Sequence, residues 1–428
     1  MKNIGIGIIG LGNIGSRLYK EIISKKKDIG IKTNTRLNIQ AISAKNINKK
    51  RSFKINRKIF FKKPIDITKN SKVDIVIELI GKADGISKKI VESALKNKKH
   101  VITANKALIS KHGDYLSSIA EKNKVNLEFE AAVGGGIPVL RSLKEGLATN
   151  KISKIYGILN GTCNYILSEM ETTKDSFQNV LRKAQKLGYA EPSNPKLDLN
   201  GSDAMAKIKI LSSLAFNKKI SKSKCLLEGI ESIESKDIDI ANQLNLRIKL
   251  LGITELINNK LFERVHPCLV QKNTYISNVN DVMNAVILEG MPVGESVLQG
   301  EGAGPGPTSS ALMSDLLSIL RGNIKFPFGI PSSKRKAPII YDQSQNFNSL
   351  YLRFEVKDKP GVLSQITKQL AKYKISIARL IQIPDHKKKR ASIIIITHKA
   401  KELYSNKCLK VFKSNKNILK LPTLIRLF

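Results

Sequence analysis

Six residues, Gly10-Leu11-Gly12-Asn13-Ile14-Gly15, constrain what this chain can fold into more than any other feature. They follow an apolar run, Ile4–Ile9, and open a helical pattern over Ser16–Lys26. A GxGxxG spacing alone is weak, but between a strand and a helix it specifies a phosphate-binding turn. The first glycine permits the tight turn, the second lets backbone approach a pyrophosphate, and the third lets helix and strand pack closely. Unpaired N–H groups of the first helical turn then face the phosphates. Gly10, Gly12, Asn13, Ile14 and Gly15 are therefore candidate cofactor-binding residues.

Strand and helix patterns keep alternating after this turn. Leu37–Ser43, Val73–Ile80 and Val101–Thr103 read as buried strands, with a helix over Ser87–Lys96. Strands separated by helices make a doubly wound parallel sheet, an α/β Rossmann domain over residues 1–130. Such a domain commonly carries an acid at the end of its second strand to bind ribose hydroxyls. Here Lys45 stands at that end, followed by Lys49, Lys50 and Arg51, which favours NADP over NAD.

From residue 131 to 328 the texture is mixed α+β, bracketed by the glycine-rich stretches 134–136 and 300–306, and Ser309–Leu320 is helical by period. Residues 329–348, with two prolines and a polar run, have the composition of a linker. Residues 349–428 then read strand (Leu350–Val356), helix (Val362–Lys372), two strands (Ile375–Gln382, Arg390–His398), helix (Lys401–Phe412) and strand (Leu424–Phe428). That βαββαβ order is the ferredoxin-like pattern.

The chemistry-bearing residues lie in the middle region. Asp203 and Lys207 are four apart at the start of a helical stripe that continues with Leu211 and Leu214. An i,i+4 ion pair normally lies on the wet face and contributes only about 0.3–0.5 kcal/mol. Charges on an apolar stripe are either a buried structural pair or a general acid with its partner in a cleft. Gly188, Glu191 and Asp198 lie just upstream, where carboxylates beside a lysine suit recognition of a small amino-acid-like molecule.

Other classes fit less well. The formal charge is +39, from 74 Lys and Arg against 35 Asp and Glu, but the lysines are spread along the whole chain. Aromatic residues are 5 % and form no stacking stripe, so the charge reads as a solvated surface and not as a nucleic-acid or membrane surface. No apolar run approaches a membrane span. The four cysteines are widely separated, as expected of a reducing, cytoplasmic compartment. Cys163 is the only one inside a motif, and residues 113–265 contain no histidine to activate it, so it reads as small-residue packing.

At this point several motifs together resemble homoserine dehydrogenase, in its long bacterial form with a C-terminal ACT domain. They are Gly10–Gly15, Thr103–Leu108, Glu130–Pro138, Gly157–Tyr165, Gly188–Leu211, Gly302–Thr308 and Asp358–Leu363. The resemblance implies reversible reduction of L-aspartate 4-semialdehyde to L-homoserine by NADPH or NADH, in threonine, methionine and isoleucine biosynthesis. It implies Lys207 as proton donor, Asp203 as its partner, and Lys106 on the cofactor side. Glu191 matches a substrate-binding acid, and Gly188, Gly302 and Gly304 match positions near the cofactor. Glu130, Val133, Gly135 and Ile137 match a monovalent-cation site, sodium in the family. The tail implies feedback by L-threonine and, because ACT domains commonly pair between chains, a homodimer or homotetramer. The stretch Glu191–Pro195 is one residue longer than the family's Glu-x-Asp-Pro and lacks its aspartate.

Overall fold

The computed structural model describes residues 1–49, 51, 53, 55–322 and 325–428. Its N-terminal sheet is fully parallel, in the order Thr35–Ser43, Lys2–Ile9, Ile75–Glu78, His100–Thr103 and Leu127–Glu128. Two-sided burial explains the runs of Ile and Val: Ile6, Ile8, Val76, Ile77, Val101 and Ile102 are all 0 % exposed. The first helix, Asn13–Ser24, begins three residues earlier than its apolar period implies, because Gly12 caps it with no side chain needed. The helix Pro305–Leu320 returns from the second domain and packs on this first helix, burying Leu312 and Leu316.

Apart from a short pair, Phe347–Asn348 with Ala400–Lys401, the remaining strands form one continuous sheet. The second domain supplies Gly294–Glu301, Met283–Met291, Lys151–Ile158, Leu246–Ile257 and Lys260–Gln271, in that order. The tail continues it with Thr423–Leu427, Leu350–Lys357, Arg390–Thr397 and Ile377–Asp385, the order of a ferredoxin-like sheet. The join is parallel, Arg426 opposite Cys268 and Leu427 opposite Leu269. The βαββαβ reading thus holds, but the tail is a lateral extension of the second domain's sheet. Pattern could not reveal this, because a strand's alternation says nothing about what covers its outer edge.

Two arginines fasten that extension from below. Arg353 is 1 % exposed and reaches Asp237 of the helix Ser235–Gln243 through Nε at 2.6 Å and Nη2 at 3.0 Å. Tyr351 donates to the same carboxylate at 2.7 Å, and Glu355 accepts from Arg353 at 2.8 Å. Arg426 binds Glu228 at 2.7 Å and also pairs with Glu402. Burying a guanidinium is tolerable only when such partners replace its water.

Residues 329–348, polar enough to read as a linker, are tied to the second domain at several points although many of their side chains stay exposed. Lys219 N–H donates to Lys336 C=O at 2.9 Å, Leu261 N–H to Ile339 C=O at 2.7 Å, and Arg335 is 2 % exposed. Polar side chains can be satisfied by protein partners as well as by water, and composition does not tell the two apart.

Candidate active site at the domain seam

The glycine turn is shaped as its spacing requires. Gly10 has φ 103°, and a Cβ there would stand 2.7 Å from the Leu79 carbonyl oxygen. A Cβ on Gly15 would lie 1.9 Å from the Gly10 carbonyl oxygen. Gly12 has nothing within 4 Å of its missing side chain, so the turn's outer face is open backbone. No side chain caps the Asn13–Ser24 helix, leaving its first N–H groups for an anion. The donor set fits a dinucleotide pyrophosphate. Gly15→Ala is expected to weaken NADPH binding at least about tenfold in a fluorescence titration; an unchanged Kd would contradict this use of the turn.

Beside that turn opens a cleft of about 600 Å³, lined by Asn13, Arg17, Lys20, Lys49 and Arg51 among others. Arg51 is largely committed to shaping it: its guanidinium donates to the carbonyls of Leu11 (3.3 Å), Ile47 (3.0 Å), Lys49 (2.9 Å) and Asn46 (2.9 Å). It ties residues 46–49 to the glycine turn, while Lys45 and Lys49 remain exposed cations. Lys50 lies outside the described residues.

The buried Glu78, 0 % exposed, sets the next turn. It accepts from Ile80 N–H and Thr103 Oγ1 at 2.8 Å each, and Thr103 Oγ1 accepts from Asn105 N–H. Asn105 caps the helix Lys106–Lys122 by accepting from Leu108 N–H at 3.0 Å. This places Lys106, the helix's first residue, at the edge of the second domain.

Across the seam, the helix Ser202–Ala215 presents Asp203 and Lys207, 8 % and 7 % exposed. Asp203 stands between two ammonium groups: Lys207 Nζ at 2.8 Å on one oxygen and Lys106 Nζ at 2.7 Å on the other. Burial opposes its charge, but Lys207 and Lys106 together hold its carboxyl far below the ordinary carboxylate range. Burial likewise disfavours a charged Lys106, and Asp203 reverses that effect and raises it. Lys207 also donates to the Leu159 carbonyl at 2.5 Å. Two of its three protons are therefore held, and one is left to donate.

Asn160 completes the constellation, and sequence reasoning gave it no role. Its amide donates to Asp198 at 2.8 Å and Asp203 at 3.1 Å, while its oxygen caps the helix Gly161–Thr173 by accepting from Cys163 N–H at 2.8 Å. An Asn at a strand-to-helix turn was the available signal. Burial and then the Asp203 charge raise the Asp198 carboxyl, with Asn160 opposing. Cys163 is fully buried, donates to the Asp198 carbonyl at 3.2 Å, and has its thiol pushed well up by burial. It is packing, not a nucleophile.

Lys106, Asp198, Asp203 and Lys207 thus converge. Glu191 does not join them: it is exposed, and its carboxylate accepts from Ser193 at 3.4 Å. Gly188 ends the helix Phe177–Leu187 with φ 78°. The two glycine-rich stretches pack on one another, a Cβ on Gly135 coming 2.4 Å from the Gly302 backbone, and Gly304 opens the helix Pro305–Leu320 with φ 109°. The Glu130 carboxylate caps Leu140 and Arg141 N–H at 2.9 and 2.8 Å, and the main-chain carbonyls of Glu130 and Ile137 accept from Val133 and Val139 N–H at 3.2 and 2.8 Å. Among the described residues no cluster of three His, Cys, Asp or Glu side chains is placed to hold a metal.

A dinucleotide-binding sheet joined to a second domain through a buried Asp–Lys pair defines an NAD(P)-binding oxidoreductase. Family models agree in detail: the homoserine dehydrogenase NAD-binding domain matches residues 10–130, the homoserine dehydrogenase domain 138–317, and the ACT domain 350–403. A homoserine dehydrogenase of Neisseria gonorrhoeae is 38 % identical over 433 residues, spanning 100 % of this chain and 99 % of that one. The crystal structure of a homoserine dehydrogenase from Thiobacillus denitrificans superposes with a TM-score of 0.91 at 34 % identity, covering 100 % and 99 % of the two chains. That of Staphylococcus aureus gives 0.76 at 30 % identity, with the same coverage. The chain belongs to the homoserine dehydrogenase family, in the form that carries an ACT domain.

Proposed function

We propose that this enzyme reduces L-aspartate 4-semialdehyde to L-homoserine, with Lys207 donating the proton to the aldehyde oxygen. The observation that carries the reading is the Lys106–Asp203–Lys207 constellation beside an open phosphate-binding turn. The nicotinamide cofactor supplies the hydride. As the carbonyl oxygen gains negative charge, the free proton of Lys207 lies toward it, and the ammonium stabilises that charge before giving the proton up. Asp203 and the Leu159 carbonyl fix the lysine's direction. Lys207 and Lys106 together keep Asp203 ionised between them. Of the two acids, Asp198 stands at the constellation and takes the substrate's ammonium group, whereas Glu191 stands outside it.

The exposed Lys45 and Lys49 beside the adenosine end support NADPH as the preferred cofactor. Main-chain carbonyls of Glu130, Val133, Gly135 and Ile137 suit sodium. The ferredoxin-like tail supports L-threonine as feedback effector of a cytoplasmic homodimer or homotetramer. A spectrophotometric assay with NADPH or NADH and L-aspartate 4-semialdehyde, with and without L-threonine, tests these points together. Faster oxidation of NADPH, slowed by L-threonine, is expected; oxidation of neither cofactor would overturn the reading.

A further inference from the structure

Behind the active site, the segment leading toward the ACT domain closes over both helices that supply the reacting groups. The helices Lys106–Lys122 and Ser202–Ala215 meet near their first turns through the Lys106–Asp203 pair. They meet again through Arg335. Its Nη2 lies 2.8 Å from the Asp114 carboxylate on the first helix and donates to Ser213 Oγ on the second. Nε and Nη2 also donate to the Lys218 carbonyl at 3.2 and 2.9 Å, and the guanidinium lies over the Phe328 ring, 4.0 Å from its centroid. Asp114 follows Lys106 by about 12 Å of helix, and Ser213 follows Lys207 by about 9 Å. The second contact is therefore well separated from the first.

Neighbouring contacts hold this strap against the first helix. Ser332 donates from its N–H (2.9 Å) and its hydroxyl (2.7 Å) to Glu121 of the same helix. Gly113 provides the close approach: a Cβ there would stand 2.9 Å from the Phe328 ring and 3.0 Å from Ile220. Asp114 also accepts from Ile220 N–H at 3.0 Å.

We propose that Arg335 is a positioning residue for the reduction, fixing the Lys106–Asp203–Lys207 geometry by clamping the two helices at a second point. The inference rests on the role of Lys207 proposed above. Two helices from different domains that touch at one place can pivot about it; touching at two, they cannot. Lys106 enters the seam from the cofactor-binding domain and Lys207 from the other, so a pivot changes their separation directly. A misplacement of about 1 Å at a reacting centre lowers the rate about 10²-fold. Arginine suits the role because Nη2 reaches Asp114, Ser213 and Lys218 while Nε makes a second bond to the Lys218 carbonyl and the planar group lies over the Phe328 ring.

Steady-state kinetics of Arg335→Ala, Arg335→Lys and Ser213→Ala, normalised to NADPH-binding sites, test this. Arg335→Ala is expected to lower kcat per site about 10- to 100-fold with KM for NADPH within about twofold. Arg335→Lys should recover only a minor part, because an ammonium lacks the Nε bond to the Lys218 carbonyl and the planar face that lies over Phe328. Ser213→Ala should move kcat in the same direction by less. A residue that merely stabilised the fold would reduce the number of competent sites and leave kcat per site unchanged, which would overturn the inference. Should Arg335→Ala fail to fold, unchanged kcat per site in both Ser213→Ala and Asp114→Asn overturns it equally. An inactive wild-type chain would instead overturn the proposed reaction itself, a result distinct from either.

Discussion

Lys207→Ala is expected to lower kcat for aldehyde reduction by about 10²–10⁴-fold while leaving NADPH affinity unchanged. Lys207 is 7 % exposed, and its ammonium is directed by Asp203 and the Leu159 carbonyl, whereas the Lys106 ammonium approaches Asp203 from the opposite oxygen. The phosphate turn, on the other domain, keeps its geometry when the side chain is removed. Asp203 supports the same chemistry over a wide pH range. Its carboxyl is held below the value near 4 that it has when unfolded. Its contribution to stability is therefore fully present above that pH and is lost only as pH falls through the depressed folded-state value. Full turnover in Lys207→Ala would remove the lysine from the mechanism.

Asp237→Ala has the second large expected effect, on stability. It removes the bidentate partner of Arg353 and the acceptor of Tyr351, both at a site where Asp237 itself is 0 % exposed. Breaking a buried pair from one side loses about 3–5 kcal/mol, and because Glu355 at 2.8 Å and Glu234 at 3.2 Å still face Arg353 the loss falls at the lower end of that range. An exposed pair gives the contrast. Lys174 and Asp239 lie 2.7 Å apart with side chains 53 % and 46 % exposed, and Lys174→Ala should cost no more than about 1 kcal/mol. Urea denaturation of the two variants compares them directly. A loss below about 1 kcal/mol for Asp237→Ala would mean that the ACT sheet is held by sheet pairing alone.

The parts of this molecule legible in the sequence are those in which local pattern and chemistry coincide. Gly10–Gly15 declares both turn and ligand, because close approach and phosphate binding require the same small residues. Asp203 and Lys207 stood out because charges on an apolar helical stripe need a reason. The alternating strands of the tail gave its topology in order. What escaped was contact between segments far apart in the chain. Lys106 pairs with Asp203 across 97 positions, and nothing local to either foretells it. Asn160 was visible as a residue but not as a bridge, since its second carboxylate, Asp203, lies 43 residues away. Arg335, Arg353 and Arg426 illustrate the opposite error of expectation. In a chain carrying +39 an arginine reads as one more solvated cation, yet each of these is 2 % exposed or less and joins two structural units.

The large positive charge thus divides into unequal parts. Most lysines are solvated and serve no site. A few basic residues stand apart: Lys106 and Lys207 at the seam, Lys49 and Arg51 lining the cleft beside the glycine turn, and three buried arginines within the framework. Among the described residues no helix is long and apolar enough to cross a membrane.

The most direct test of this account follows NADPH absorbance in wild-type protein and in Lys207→Ala, each saturated with NADPH, after addition of L-aspartate 4-semialdehyde. The account predicts steady oxidation by the wild type and none above background by the variant, with equal NADPH bound to both. Equal rates in the two proteins, or no oxidation by the wild type, would contradict it.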